Sequence, residues 1–211
     1  MTDADAEVDP LKEEIMLATY RALASEGYGG LTVQAIADEF PKSKSLLYYH
    51  YDGKEALLTG FLDYALDQLH REIELEATTP AAQLRALVDV LLPAELPADR
   101  RQVQTALFDL RGEAQHDDQF REQYAKVDRT VKGTVADIIR RGIEDGTFDP
   151  ERDPELEAEL LVSTVFGARM RRLTTYEEFP IEETRRALDA HLDRLFTADV
   201  ADGADGSDVE E

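Results

Sequence analysis

The stretch 41-PKSKSLLYYHYDGKE-55 gathers Lys42, Ser43, Lys44, Ser45, Tyr48, Tyr49, His50 and Lys54. Ammonium groups and hydroxyls are donors suited to phosphate oxygens, while tyrosine and histidine carry hydrogen-bonding atoms on rings long enough to reach base edges. From Phe40 to Lys54 three lysines meet one aspartate, Asp52, in a chain with 46 acidic against 23 basic residues and a formal net charge of −23. That chemistry is the binding of a polyanion. Bond-making chemistry is not expected: the sequence holds no GxxxxGK[ST], GxSxG or HExxH pattern. Its carboxylate pairs, such as Glu13-Glu14 and Glu177-Glu178, lie in charged runs that an acidic surface accounts for. There are no cysteines, and His50, His70, His116 and His191 lack partners at metal-ligand spacing. Neither an enzyme, a metal site nor a cofactor is expected.

These donors need elements to hold them. Asp9 is placed to cap a first helix with Pro10 in its first turn and Leu11, Ile15, Ala18, Leu23 and Ala24 on one face, ended by Gly27, Gly29 and Gly30. Thr32 offers the cap of a short helix whose apolar face is Val33, Ile36, Ala37 and Phe40, and Pro41 stops it. Ser43 caps a second short helix through about His50, with Leu47 and Tyr51 turned inward. Asp52-Gly53 then breaks the chain before a longer helix from Lys54 to about Ala77. Two short helices with a tight break form the helix-turn-helix pattern, whose second helix enters the major groove. Beyond Pro80 further helices are expected over 80–92, 99–114, 118–145, 154–176 and 182–197, punctuated by prolines and glycine. There is no period-2 pattern, so the class is all-α, about nine helices.

The residues of 31-LTVQAIADEFPKSKSLLYYHYDGKEALL-58 resemble the N-terminal DNA-binding region of TetR-family transcriptional regulators. The resemblance rests on Thr32, Ile36-Ala37, Ser43-Lys44, Leu47-Tyr48-Tyr49-His50-Tyr51 and Lys54-Glu55-Ala56-Leu57. It implies a three-helix DNA-binding domain over 9–56 and a helical ligand-binding and dimerisation domain over 57–197. It also implies a homodimer acting on a palindromic double-stranded operator, commonly as a repressor. Position by position, Thr32 is implied as cap and phosphate contact, and Lys42, Ser43, Lys44 and Ser45 as the turn and helix start over the groove. Tyr48, Tyr49 and His50 are implied as contacts from the helix body, and Lys54 as the phosphate clamp. Pro41-Lys42 departs from the family's usual Gly and apolar pair, and Leu46 replaces a small polar residue, where it could meet a thymine methyl. A competing reading is a TetR-like ligand- or protein-binding module that has lost operator binding.

The resemblance also implies a small-molecule effector, of unknown identity. Apolar positions on the middle helices suggest a pocket of Leu87, Leu91, Leu107, Phe108, Phe120 and Tyr124, with Arg111, Glu113 and His116 as polar partners. For the dimer surface the last two helices offer Leu160, Leu161, Thr164, Val165, Gly167 and Ala168, and Leu188, Leu192, Leu195 and Phe196.

The start, MTDADAEVDPLKEE, has no basic and apolar segment of the secretory kind, and the uncharged runs are too short to span a bilayer. A cytoplasmic protein without membrane contact is expected. Residues 1–8 and 198–211 are acidic and expected to be disordered, yet the tail holds only six of the 46 acidic residues. Acidity spread through a chain that is still 43% hydrophobic resembles proteins adapted to molar intracellular salt, a halophilic composition.

Overall fold

The computed structural model describes residues 9–175 and 178–196. The acidic segments read as disordered, 1–8 and 198–211, lie outside the described residues, as does Glu177. The elements run α1 (Pro10–Gly30), α2 (Val33–Glu39), α3 (Lys44–His50), α4 (Lys54–Glu76), α5 (Pro80–Leu91), α6 (Ala98–Glu113), α7 (Asp118–Glu144), α8 (Pro154–Thr174) and α9 (Ile181–Asp193). The all-α class follows. The nearest approach to sheet among the described residues is an isolated antiparallel bridge between Phe148 and Phe196.

The chain divides into two compact units, 1–67 with 96–127 and 68–95 with 128–211, so α4 and α7 each contribute to both. In the first, α1 to α3, the start of α4, α6 and the start of α7 surround one apolar core. Ile15, Met16, Ala22 and Leu23 of α1 meet Ile36 and Leu47, the single buried residues of α2 and α3, together with Leu57, Phe61 and Leu110. Helices of seven residues are too short to persist alone, so this burial rather than propensity holds them. Each buried leucine or isoleucine contributes about 1.5–3 kcal/mol relative to exposure. Tyr51 packs on the same core from the end of α3. Its burial, reinforced by the carboxylates of Asp9 and Asp63, raises its phenol above the ordinary value. The stabilisation is therefore present below about pH 10 and is lost as the phenol ionises above it.

Local signals act where expected. The Asp9 carboxylate accepts from the Leu11 N–H at 3.0 Å, and Thr32 Oγ1 accepts from the Ala35 N–H at 3.0 Å. The glycine run ends α1 as expected: the helix kinks at Gly27, where φ is +66°, and closes at Gly30. The positive φ is what requires glycine at Gly27; a Cβ there would lie 2.8 Å from the Gln102 side-chain amide of α6, the far end of a flexible side chain that can move aside. Ser43 occupies the N-cap of α3, but its side chain makes no capping hydrogen bond.

In the second unit, the C-terminal part of α4, α5, the rest of α7, α8 and α9 bury Leu84, Leu87, Val135, Ile139, Leu161 and Leu188 among others. Arg172 of α8 is buried and donates to the carbonyls of Pro93 and Ala94 at 2.5 and 2.9 Å. Phe148, just past α7, lies over Gly142 and meets the ring of Phe196 edge to face with centroids 5.6 Å apart.

Candidate nucleic-acid interface

The surface of α2 and α3 is built on what lies beneath it. Ile36, Phe40 and Leu47 are buried, fixing the two helices and the turn between them. The remaining residues of α3 must then face outward: Lys44, Ser45, Tyr48, Tyr49 and His50 are exposed, as are Thr32, Lys42 and Ser43 before them. Tyr49 is 82% exposed and Tyr48 52%, high values for side chains with so much apolar area. The structure thus brings together eight of the ten sequence-expected contact residues as one exposed set.

Leu46 and Lys54 differ. Leu46 is half-buried against the first unit's core, so only part of its side chain is open to a thymine methyl. Lys54 is also half-buried: its ammonium donates to the Tyr28 carbonyl at 3.0 Å and lies 4.5 Å from the centre of the Tyr28 ring. It ties the end of α1 to the start of α4, and its further donors remain for an external acceptor.

The other two lysines also have partners within the chain. Lys42 pairs with Glu14 of α1 at 2.5 Å. Lys44 donates to the Gln34 side-chain carbonyl, and the Gln34 amide donates to Asp38 at 2.5 Å, one turn along α2. Lys44 also stands 5.6 Å from the centre of the Tyr48 ring, while the Tyr49 and His50 rings meet edge to face at 5.1 Å. The lysines and rings are therefore positioned before any nucleic acid arrives. Exposed pairs of this kind contribute about 0–1 kcal/mol each, weak enough to exchange for a phosphate. Glu14, Gln34 and Tyr28 were missed in the sequence. Only Gln34 carries a local signal, its i, i+4 spacing to Asp38 on α2.

Thr32 has a measurable structural share in this surface. Thr32→Ala removes the acceptor for the Ala35 N–H, at a cost of about 1 kcal/mol. Thermal unfolding should show a Tm lower by about 2–4 °C, and an unchanged Tm would mean that the cap contributes nothing.

The residues suggested for an effector pocket are divided between the two units. Leu87 and Leu91 belong to the second. Leu107, Phe108, Arg111, Glu113, His116, Phe120 and Tyr124 belong to the first. There Phe120 and Tyr124 are buried in the core, with the Tyr124 hydroxyl donating to the Leu107 carbonyl at 2.6 Å and Arg111 over its ring, and His116 is exposed. Of the residues suggested for the dimer surface, Leu161, Val165, Ala168, Leu188, Leu192 and Leu195 are buried within the single chain, while Thr164 and Leu160 are exposed. Among the described residues no group of acidic and histidine side chains stands close enough to hold a metal ion, and no helix is long and apolar enough to cross a membrane.

A pair of short helices pinned from below, with the second presenting cations and rings, defines a helix-turn-helix DNA-binding protein. Residues 15–60 match the family model for bacterial regulatory proteins of the tetR family, and residues 80–197 match the BetI-type transcriptional repressor C-terminal model. A TetR transcription regulator from Haloarcula marismortui ATCC 43049 is 34% identical, covering 89% of this chain and 98% of that one, with a TM-score of 0.74. A transcriptional regulator from Saccharomonospora viridis, solved in complex with choline, shares the fold at 22% identity, with 88% and 96% coverage and a TM-score of 0.69. The uncharacterized HTH-type transcriptional regulator YerO of Bacillus subtilis is 40% identical over 53 residues, which span 25% of this chain and 18% of that protein. The chain belongs to the TetR family of transcriptional regulators. It is a DNA-binding regulator and not an enzyme.

Proposed function

We propose that the chain is a cytoplasmic homodimeric repressor that binds a two-fold symmetric operator and responds to a small effector. The observation that carries the DNA-reading part is the outward set Lys44, Ser45, Tyr48, Tyr49 and His50 on a helix whose inward residue, Leu47, is fully buried. In this reading Thr32, Lys42, Ser43 and Lys54 meet phosphates, the body of α3 meets base edges, and Leu46 adds apolar contact. The domain assignment proposed is 9–56 for reading DNA and 57–197 for effector binding and dimerisation.

For dimerisation the exposed face of α8 is better placed than the buried one. Leu156, Leu160 and Met170 are 69%, 51% and 46% exposed, with Ser163, Thr164 and Gly167 between them along the same stripe. Apolar side chains at this spacing, left open to water in one chain, suit a second copy of the same helix. A halophilic habitat is supported by the charge of −23 and by the 34% identity to the Haloarcula marismortui regulator.

DNase I footprinting of the DNA flanking the chain's own gene tests the proposal. Two protected half-sites with dyad symmetry, separated by about 34 Å or a multiple of it, are the expected result. Absence of sequence-specific protection at every salt concentration would favour the TetR-like module that no longer reads an operator.

A further inference from the structure

The C-terminal part of α4, the start of α5 and the C-terminal half of α7 enclose a cleft of about 500 Å³ in the second unit. None of the residues suggested above for effector binding lines it. Its chemistry is set by one stripe of α7, where Thr134, Asp137 and Arg141 recur at intervals of three or four residues and so share a face, continued by Asp145 just past the helix end, whose N–H donates to the Arg141 carbonyl at 3.0 Å. His70 of α4 and Gln83 of α5 face them across the cleft, and Ile73 and Ile138 supply an apolar wall.

The polar groups are held in place. Arg141 donates to the Gln83 side-chain carbonyl at 2.6 Å, and the Gln83 amide in turn donates to the Ala77 carbonyl at 3.3 Å. The Thr134 hydroxyl donates to the Thr130 carbonyl at 3.0 Å, leaving its oxygen to accept from His70 Nε2 at 2.7 Å. That assigns the proton of neutral His70 to Nε2 and makes Nδ1 an acceptor. Asp145 is kept ionised by hydrogen bonds from Thr147, which hold its carboxyl below the ordinary value. Asp137 and Asp145 stand one turn to either side of Arg141; one carboxylate oxygen of Asp137 already accepts from Arg140, which also reaches Glu155, and Asp145 accepts from the Thr147 N–H at 2.9 Å, so each aspartate offers the cleft its remaining acceptor capacity. Arg141 keeps donors to spare beyond the one given to Gln83.

A cation lined up between two anions along a helix, fixed in advance and open to solvent, discriminates by charge pattern. A simple anion at Arg141 would meet carboxylates one turn away on both sides. A simple cation at either aspartate would meet the guanidinium. A molecule with both charges satisfies both.

We propose that this cleft is the effector site and that its ligand is a small zwitterion, carrying a carboxylate for Arg141 and an ammonium for Asp137 or Asp145. The turn spacing of about 5–6 Å sets the charge separation to a few bonds. His70 Nδ1 accepts a further N–H from the ammonium, and Ile73 and Ile138 cover the connecting methylenes. The inference rests on the proposed effector response.

Thermal unfolding of the full chain at fixed KCl tests it with glycine, 4-aminobutyrate and 6-aminohexanoate, against butyrate and butylammonium as the separate halves. At a concentration of about 100 times Kd, at least one zwitterion is expected to raise Tm by about 5 °C, with the halves leaving it within about 1 °C. Arg141→Gln, and Asp137→Asn combined with Asp145→Asn, all at exposed positions, should each abolish the rise while unfolding near the wild-type temperature without ligand. No rise with any zwitterion, an equal rise with either half, or a rise that survives both variants overturns the assignment. With the active zwitterion, operator affinity is expected to fall at least tenfold, and stabilisation without such a fall removes the effector role. A missing footprint without any zwitterion is failure of the operator reading and leaves the cleft assignment to the thermal measurement.

Discussion

Operator affinity is expected to fall by only about four to five decades between about 0.15 M and about 3 M KCl, where six phosphate contacts without cation recapture would lose about seven. The interface has few cations, and each is already engaged. Lys42 is paired with Glu14, Lys44 is bonded to Gln34, and Lys54 is bonded to the Tyr28 carbonyl. When Lys42 turns to a phosphate, the Glu14 carboxylate is left beside the polyanion and must recruit a cation from solution. That uptake opposes the counterions released from DNA, and in the proposed dimer six lysine contacts less two recaptured cations give a slope of about −3.4. Glu14→Gln removes the need for the cation. It is expected to tighten binding at low salt by about tenfold and to steepen the slope by about 2, one for each protomer. Titrations of fluorescent operator across the KCl range read both quantities. A loss near seven decades in the wild type, or an unchanged slope in Glu14→Gln, refutes the mechanism.

Gly142→Ala is expected to lower Tm by about 8 °C or more, the largest effect anticipated for adding a single methyl group. The added Cβ would fall 2.1 and 2.4 Å from ring carbons of Phe148, well inside van der Waals contact. The ring has no easy retreat, because it is 1% exposed and packs edge to face on Phe196. Its backbone is tied as well: the Phe148 N–H donates to the Gly142 carbonyl and the Asp149 N–H to the Leu195 carbonyl, both at 2.8 Å. Overpacking of a fixed core position costs about 1–3 kcal/mol and can exceed that, which for a chain of this length corresponds to the stated shift. Phe148→Leu alone also destabilises, yet the double substitution should be less damaging than the sum of the two by about 1–3 kcal/mol. Simple additivity, or a Tm unchanged in Gly142→Ala, would show that the ring has room to move.

The contrast between these two sites explains what the sequence made legible. Features set by neighbours along the chain were readable: the caps Asp9 and Thr32, the stop at Pro41, and the outward lysines and tyrosines of α3. Features set by contacts between elements were not. Glu14 opposite Lys42 and the Tyr28 carbonyl beneath Lys54 join residues 28 and 26 positions apart, and no local pattern marks them. On α8 two stripes are available, Leu161, Val165 and Ala168 on one face and Leu156, Leu160 and Met170 on another. Periodicity identifies both without saying which one the fold covers. The search for an effector pocket followed apolar side chains, so it found Phe120 and Tyr124, which are core. The cleft of Arg141, Asp137 and His70 is largely polar, so no apolar pattern marks it.

The bond from Lys54 to Tyr28 also limits how this regulator can be recombined. Exchanging operator preference between relatives by transplanting residues 32–51 would move the reading helix but leave behind the clasp joining the end of α1 to the start of α4. A donor segment shaped by a different residue at either position would be seated on a clasp built for another turn. Chimeras should therefore cross over before Tyr28 and after Lys54, making the transferable cassette longer than the helix-turn-helix itself.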